Sequence, residues 1–136
     1  EKNALISLDV TAMMGYTTHR SNKKMPNNKY TAYDIGGSVI KDNETYLLKD
    51  NKTLKNLVLS STLLKPNQET RGHSHSGQEE VYYFIDGQGQ MILGEESLDV
   101  VAGDIILIPD GAFHKVINPT SEYLYFVCVF DGKRNH

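Results

Sequence analysis

Along this chain the apolar residues recur at every second position or in short solid runs, and Gly, Asn, Asp and Pro interrupt them roughly every eight to twelve residues. Side chains alternate faces along a strand, whereas a helix would repeat its apolar stripe every three to four residues, so the pattern predicts a sandwich or barrel of short strands. Strands are expected over Tyr30 to Ile35, Thr45 to Lys49, Leu57 to Leu64, Val81 to Ile85, Gln90 to Leu93, Leu98 to Val100, Ile105 to Ile108, Lys115 to Asn118 and Tyr123 to Phe130. Nearer the start, Ile6, Leu8, Val10 and Ala12 alternate with Ser7, Asp9 and Thr11, which predicts a further half-buried strand. Residues 17 to 29 carry His19, Arg20, Lys23, Lys24 and Lys29 among Thr, Ser, Asn and Pro, a polar and locally basic loop expected to be solvated. No internal repeat and no low-complexity segment breaks the pattern.

Composition narrows the picture. A chain of 136 residues fits one domain with an ordinary hydrophobic core. The formal charge of -3 and the lack of a long basic run argue against nucleic acid as a partner, because phosphate binding needs clustered Lys and Arg. Cys128 is the one cysteine, so it forms no disulfide within the chain, and its place inside the apolar run Tyr123 to Phe130 predicts burial. A reducing compartment is the natural setting. Glu1 to Ser7 lacks the apolar stretch of a signal peptide and no segment approaches the length of a membrane span, so a cytoplasmic protein with no membrane partner is expected.

The candidate chemistry lies in Arg71-Gly72-His73-Ser74-His75-Ser76-Gly77-Gln78-Glu79-Glu80. On a strand, residues two apart share a face and stand about 6.6 Å apart, so His73 and His75 would turn both imidazoles toward one ion. Ser76-Gly77-Gln78 is turn-like, and the strand after it is expected to run back antiparallel and bring a carboxylate beside the histidines. Alternation leaves Glu79 and Glu80 tied for that role, since Val81, Tyr83 and Ile85 are as acceptable inside as Tyr82 and Phe84. Farther on, Ala102-Gly103-Asp104 reads as a turn, Ile105 to Ile108 as a strand buried on both faces, and Pro109-Asp110-Gly111 as a second turn, so that His114 opens the next strand.

These two stretches resemble the paired motifs of the cupin superfamily. In the first, His73, His75, a gap of four residues, Glu80, and Gly87 after six more follow the family spacing, which selects Glu80 over Glu79. In the second, Gly103, Pro109, Gly111, His114 and Asn118 all match. Asn67 stands where the family carries Gly six residues before the first His, and Asn also tolerates a left-handed backbone. The resemblance covers residues 67 to 118 and implies an all-β, double-stranded β-helix of jelly-roll type, one domain over 1–136, with the first 50 residues adding strands and a loop to a barrel core at 51–136. It further implies that His73, His75, Glu80 and His114 hold one divalent ion and leave coordination positions open. Three nitrogens and an oxygen without thiolate suit Mn, Fe, Co, Ni or Zn without choosing among them.

Arg71 and Tyr82 are expected to share the inward face with these ligands, Arg71 as a clamp for a carboxylate or phosphate and Tyr82 as a proton shuttle; Arg71, Glu80 and Tyr82 are therefore the candidate catalytic residues. The segment Thr70 to His75 and the strand from Glu80 to Gly87 look like those of the cupin-type phosphoglucose isomerases, which implies an isomerase or epimerase of a small sugar or sugar phosphate. A Fe or Ni dioxygenase is the alternative, favoured if Phe84, Phe113 and Phe126 form an apolar rim, and a non-catalytic module binding a small ligand is a third. The partner expected in each case is a small, anionic molecule, with a homodimer as the assembly.

Overall fold

The computed structural model describes residues 28–132. The expected strand at Ile6 to Val10 lies outside that range, as does the basic loop apart from Asn28 and Lys29. Ten strands and no α-helix occur among the described residues: β1 (Ser38–Asp42), β2 (Tyr46–Asn51), β3 (Leu57–Leu64), β4 (Gln68–Glu69), β5 (Glu80–Asp86), β6 (Gln88–Leu93), β7 (Glu96–Val101), β8 (Ile105–Ile108), β9 (His114–Asn118) and β10 (Leu124–Asp131). They form a six-stranded sheet in the order β1-β2-β3-β10-β5-β8 and a four-stranded sheet in the order β4-β9-β6-β7, with every pairing antiparallel.

Alternation produces this architecture. Along β5, Glu80, Tyr82, Phe84 and Asp86 are buried while Val81 and Tyr83 are exposed, so a single strand presents one face inward and one outward. Of these, Tyr82 and Phe84 join Leu64, Met91, Val100, Ile108, Val116, Leu124, Phe126 and Cys128 in the main core. Phe84 stacks obliquely on Phe126 with ring centroids 5.0 Å apart, and Tyr82 lies nearly parallel to Phe126 at 5.2 Å. A second cluster, Leu47, Leu63 and Tyr125 with Tyr33 and Val39, covers the opposite face of the six-stranded sheet. Tyr125 donates its hydroxyl to the Ala32 carbonyl (2.6 Å) and so ties the segment ahead of β1 onto that face; burial pushes its pKa well above the ordinary tyrosine value. Lys49 lies over the same side and reaches Asp34 (3.5 Å).

Two expectations need correction. Tyr30 to Ile35 is no strand. Thr31 and Asp34 bridge each other across a tight turn, Asp34 accepts the Gly36 amide (3.1 Å), and Gly36 and Gly37 both take positive φ, so local hydrogen bonds displace any ladder. Ile105 to Ile108 forms a strand, but it is the edge strand β8 with Ile105 and Leu107 60% and 67% exposed, not one buried on both faces. A solid apolar run does not by itself report whether a second layer covers it. The pattern gave no sign of β1, which is half polar, or of the two-residue β4.

The motif glycines and the asparagine that replaces one have structural reasons. Asn67 adopts φ +58°, in the left-handed region where Asn is tolerated, and its amide reaches the Thr120 carbonyl (3.0 Å). Gly87 has φ +94°, and a Cβ there would run into the Tyr123 carbonyl oxygen. Asn118, 1% exposed, ends β9 by donating to the carbonyls of Leu64, Lys65 and Glu122 and accepting from the Thr120 amide and hydroxyl.

Candidate metal centre

Opposite sheets supply the site. His114 opens β9 in the four-stranded sheet, and the chain at His73 makes an isolated bridge to it, with His73 N–H donating to the His114 carbonyl (3.1 Å) and the reverse bond at 2.9 Å. Glu80 opens β5 in the six-stranded sheet, is 4% exposed, and faces His114 across the interior, its Oε2 3.2 Å from His114 Nε2. Glu79 is exposed, so burial agrees with the spacing that selected Glu80.

The expected histidine pincer is different in detail. Residues 70–79 form no strand beyond the bridge at His73, and β5 does not return alongside them; it pairs with β8 and β10. The carboxylate reaches the histidines by facing them across the barrel, not as a hairpin neighbour. Turn-rich Ser74 to Gln78 is held by two single bonds instead of a ladder: Gly77 N–H donates to Asp110 Oδ1 (2.7 Å), and the His75 carbonyl accepts the Gly111 amide (2.9 Å). Both anchors come from the turn ahead of β9, so one turn holds both halves of the motif in register.

Donor atoms of His73, Glu80 and His114 lie within 4.8 Å of one another. Bonds of about 2.1 Å at near-tetrahedral or octahedral angles put ligand atoms roughly 3.0–3.4 Å apart, so the widest pair of this trio would close by at most about 1.8 Å to hold an ion. His75 stands beside the trio without joining it at that distance: its ring centroid is 4.4 Å from that of His73 and 6.1 Å from that of His114. The His73 and His114 rings meet edge to face at 4.5 Å. Nε2 of all three histidines and Oε2 of Glu80 are buried.

Electrostatics at His114 suit the same reading. Burial pulls its pKa down, but the Glu80 hydrogen bond, the Ala112 carbonyl on Nδ1 (3.0 Å) and the Glu80 charge together outweigh burial and hold it above the ordinary 6.5. The Ala112 carbonyl also fixes the tautomer: with the Nδ1 proton donated there, the Nε2 lone pair of the neutral ring points toward Glu80 and His73. Backbone orientation of this kind is the usual outer support of a metal-binding histidine.

Above the trio opens a cavity of about 470 Å³. Among the described residues, His73, Glu80, Tyr82, His114, Phe126 and Cys128 line its inner part, and Lys41, Asn43, Thr45, Glu69, Thr70 and Arg71 are among those lining the rest. Tyr82 is 7% exposed with its ring 5.8 Å from that of His114, and Arg71 is exposed; with Glu80, all three candidate catalytic residues border the cavity. The aromatic rim that would favour an aromatic substrate is not formed: Phe126 lines the cavity, but Phe84 is fully buried in the core, Phe113 is 40% exposed, and neither of these two lines it. Sequence reasoning missed Lys41, Asn43 and Thr45, which come from β1 and the turn into β2, outside the recognisable motifs.

The family model described as "Cupin domain" matches residues 61–130, a span that includes Glu80, Tyr82, both histidines of the first motif and His114. The chain belongs to the cupin family. Among curated proteins, this cupin is 30% identical to the uncharacterized protein MJ1618 of Methanocaldococcus jannaschii, over 61% of this chain and 75% of that protein. It is 26% identical to the glucose-6-phosphate isomerase of Thermococcus kodakarensis, over 68% of this chain and 56% of the isomerase. Among solved structures, a predicted oxalate decarboxylase from Thermotoga maritima superposes with a TM-score of 0.60 at 22% identity, over 65% of this chain and 81% of that one, a likeness that shows the fold alone.

Proposed function

We propose that this cupin is a metal-dependent isomerase or epimerase of a small phosphorylated sugar. The observation that carries the reading is the meeting of His73, Glu80 and His114 at a cavity whose lining mixes polar and apolar side chains and includes Arg71. His73, Glu80 and His114 would hold the divalent ion, with His75, whose carbonyl accepts the Gly111 amide, as a fourth ligand. What Mn, Fe, Co, Ni or Zn supplies there is polarisation of the substrate's carbonyl and hydroxyl oxygens.

The chain's own groups do the rest. Interconverting an aldose and a ketose moves one proton between adjacent carbons and another between their oxygens. The Glu80 carboxylate would accept the carbon-bound proton and return it to the neighbouring carbon, while the Tyr82 hydroxyl, bordering the same cavity, would pass the other proton from one oxygen to the next. Arg71 binds the anionic end through paired hydrogen bonds. The similarity to the Thermococcus kodakarensis isomerase supports this choice of substrate. An aromatic-substrate dioxygenase has less behind it, because Phe84 and Phe113 do not line the cavity.

The test is reconstitution with each of the five ions followed by NMR of hexose phosphates in D₂O. Interconversion or deuterium uptake at the carbon next to the carbonyl, lowered about a hundredfold or more in Glu80→Gln, is the expected result. Full metal loading with no exchange on any hexose phosphate contradicts the proposal.

A further inference from the structure

We infer that Lys41, turned into the cavity by a β-bulge, recognises the anionic group of the substrate and sets the preference for a phosphorylated over a neutral sugar. This assignment rests on the isomerase reading above and gives it a specificity-determining residue outside both family motifs.

The register of β1 against β2 carries the inference. Val39 pairs with Lys49, but the next pair is Lys41 with Leu48, so Ile40 is the extra residue of a bulge. Without it, Ile40 would pair with Leu48 and Lys41 with Leu47, and Leu47 belongs to the apolar cluster on the far face of the sheet. Cross-strand partners share a face, so the one-residue shift moves Lys41 from that cluster to the cavity side. The row continues across four strands: Lys41 pairs with Leu48, Leu48 with Thr62 and Thr62 with Phe126, and all four residues line the same cavity.

Charge on the lining points the same way. Glu69 is held by Lys115 (3.3 Å), and Glu80 faces His114. Lys41 and Arg71 form no ion pair among the described residues, so within that range two cations of the lining stand without a carboxylate partner. Bulges are over-represented beside active sites because they re-aim a side chain, and a lysine re-aimed onto a lined cavity suits a phosphate monoester better than a neutral hydroxyl.

The experiment is calorimetric titration of the metal-loaded full chain with fructose 6-phosphate and with fructose, at low and high salt. Lys41→Met is expected to weaken fructose 6-phosphate binding about tenfold, more at low salt than at high, and to leave metal content and fructose binding unchanged. Lys41→Arg is expected to keep most of the affinity. The exchange Ile40→Lys with Lys41→Ile preserves net charge but moves the cation to the bulge position, and it is expected to behave like Lys41→Met. Wild-type affinity in Lys41→Met or in the exchange variant overturns the assignment while leaving the isomerase reading in place. A metal-loaded wild type that binds no hexose phosphate overturns both.

Discussion

Asn118→Ala should be among the most damaging substitutions outside the metal ligands. Its amide nitrogen serves the carbonyls of Leu64 (3.3 Å), Lys65 (3.1 Å) and Glu122 (2.7 Å), and its oxygen accepts from the Thr120 amide (3.0 Å) and hydroxyl (2.8 Å). Two amide protons cannot fully satisfy three carbonyls, so the group is worth about four hydrogen bonds, each contributing roughly 1 kcal/mol net. The Thr120 hydroxyl keeps a second contact, to the Glu122 carbonyl (3.2 Å), and water can reach the exposed side of that turn, which lowers the loss to about 3 kcal/mol. For a domain of this size that corresponds to a Tm lower by roughly 10 °C. Urea unfolding is the assay, read as a lower midpoint with an unchanged slope. Asn118→Asp is the informative companion: it keeps the size and the acceptor but cannot donate, and it should be at least as destabilising at pH 7. A loss below about 1 kcal/mol for Ala, or near-wild-type stability for Asp, would refute the view that Asn118 fastens β9 to the end of β3.

The turn ahead of β9 gives a second expectation. Asp110→Ala removes the bond to Gly77 and should weaken metal affinity several-fold, read by competition with a chromophoric chelator, while urea stability of the metal-free protein changes by less than about 1 kcal/mol. pH acts through His114, whose folded-state pKa lies above its ordinary 6.5. In the metal-free protein its stabilisation is fully present below about pH 6.5 and is lost as pH rises through the folded pKa. The stability gap between wild type and His114→Gln should therefore shrink with rising pH, and a gap that widens would reverse the sign. Metal affinity must run the other way, falling up to tenfold for each pH step below the folded pKa because the ion needs the neutral ring. Gly87→Ala, forced into a positive φ against the Tyr123 carbonyl, should cost more than 2 kcal/mol in the same urea assay, in the range of other strained backbone sites, and tolerance of alanine there would mean that the turn relaxes freely.

Much of the barrel was legible because its physics is local. Leu57–Leu64 and Ile105–Ile108 form strands with the expected bounds, and most other strands differ by a residue or two at an end. The inward face of β5 became readable only once the motif spacing had singled out Glu80, since alternation alone left Glu79 equal to it. What stayed hidden depends on neighbours distant in sequence. Nothing along Ile105 to Ile108 reports that β8 lies at a sheet edge, and nothing around Arg71 to His75 reports that the segment touches β9 at a single bridge instead of forming a hairpin with β5. Lys41 was invisible for a related reason: a bulge inverts the alternation on which strand reading depends, so its place on the cavity wall appears only in the paired register.

The central claim is that His73, Glu80 and His114, with His75, hold one divalent transition-metal ion. The most direct measurement is elemental mass spectrometry on untagged protein purified without added metal and again after reconstitution, comparing wild type with His75→Ala and His114→Ala. About one ion per chain in the wild type, lost in His114→Ala and reduced in His75→Ala, is the predicted result. A wild type that takes up no metal even after reconstitution, or a His114→Ala protein that retains it, would contradict the account.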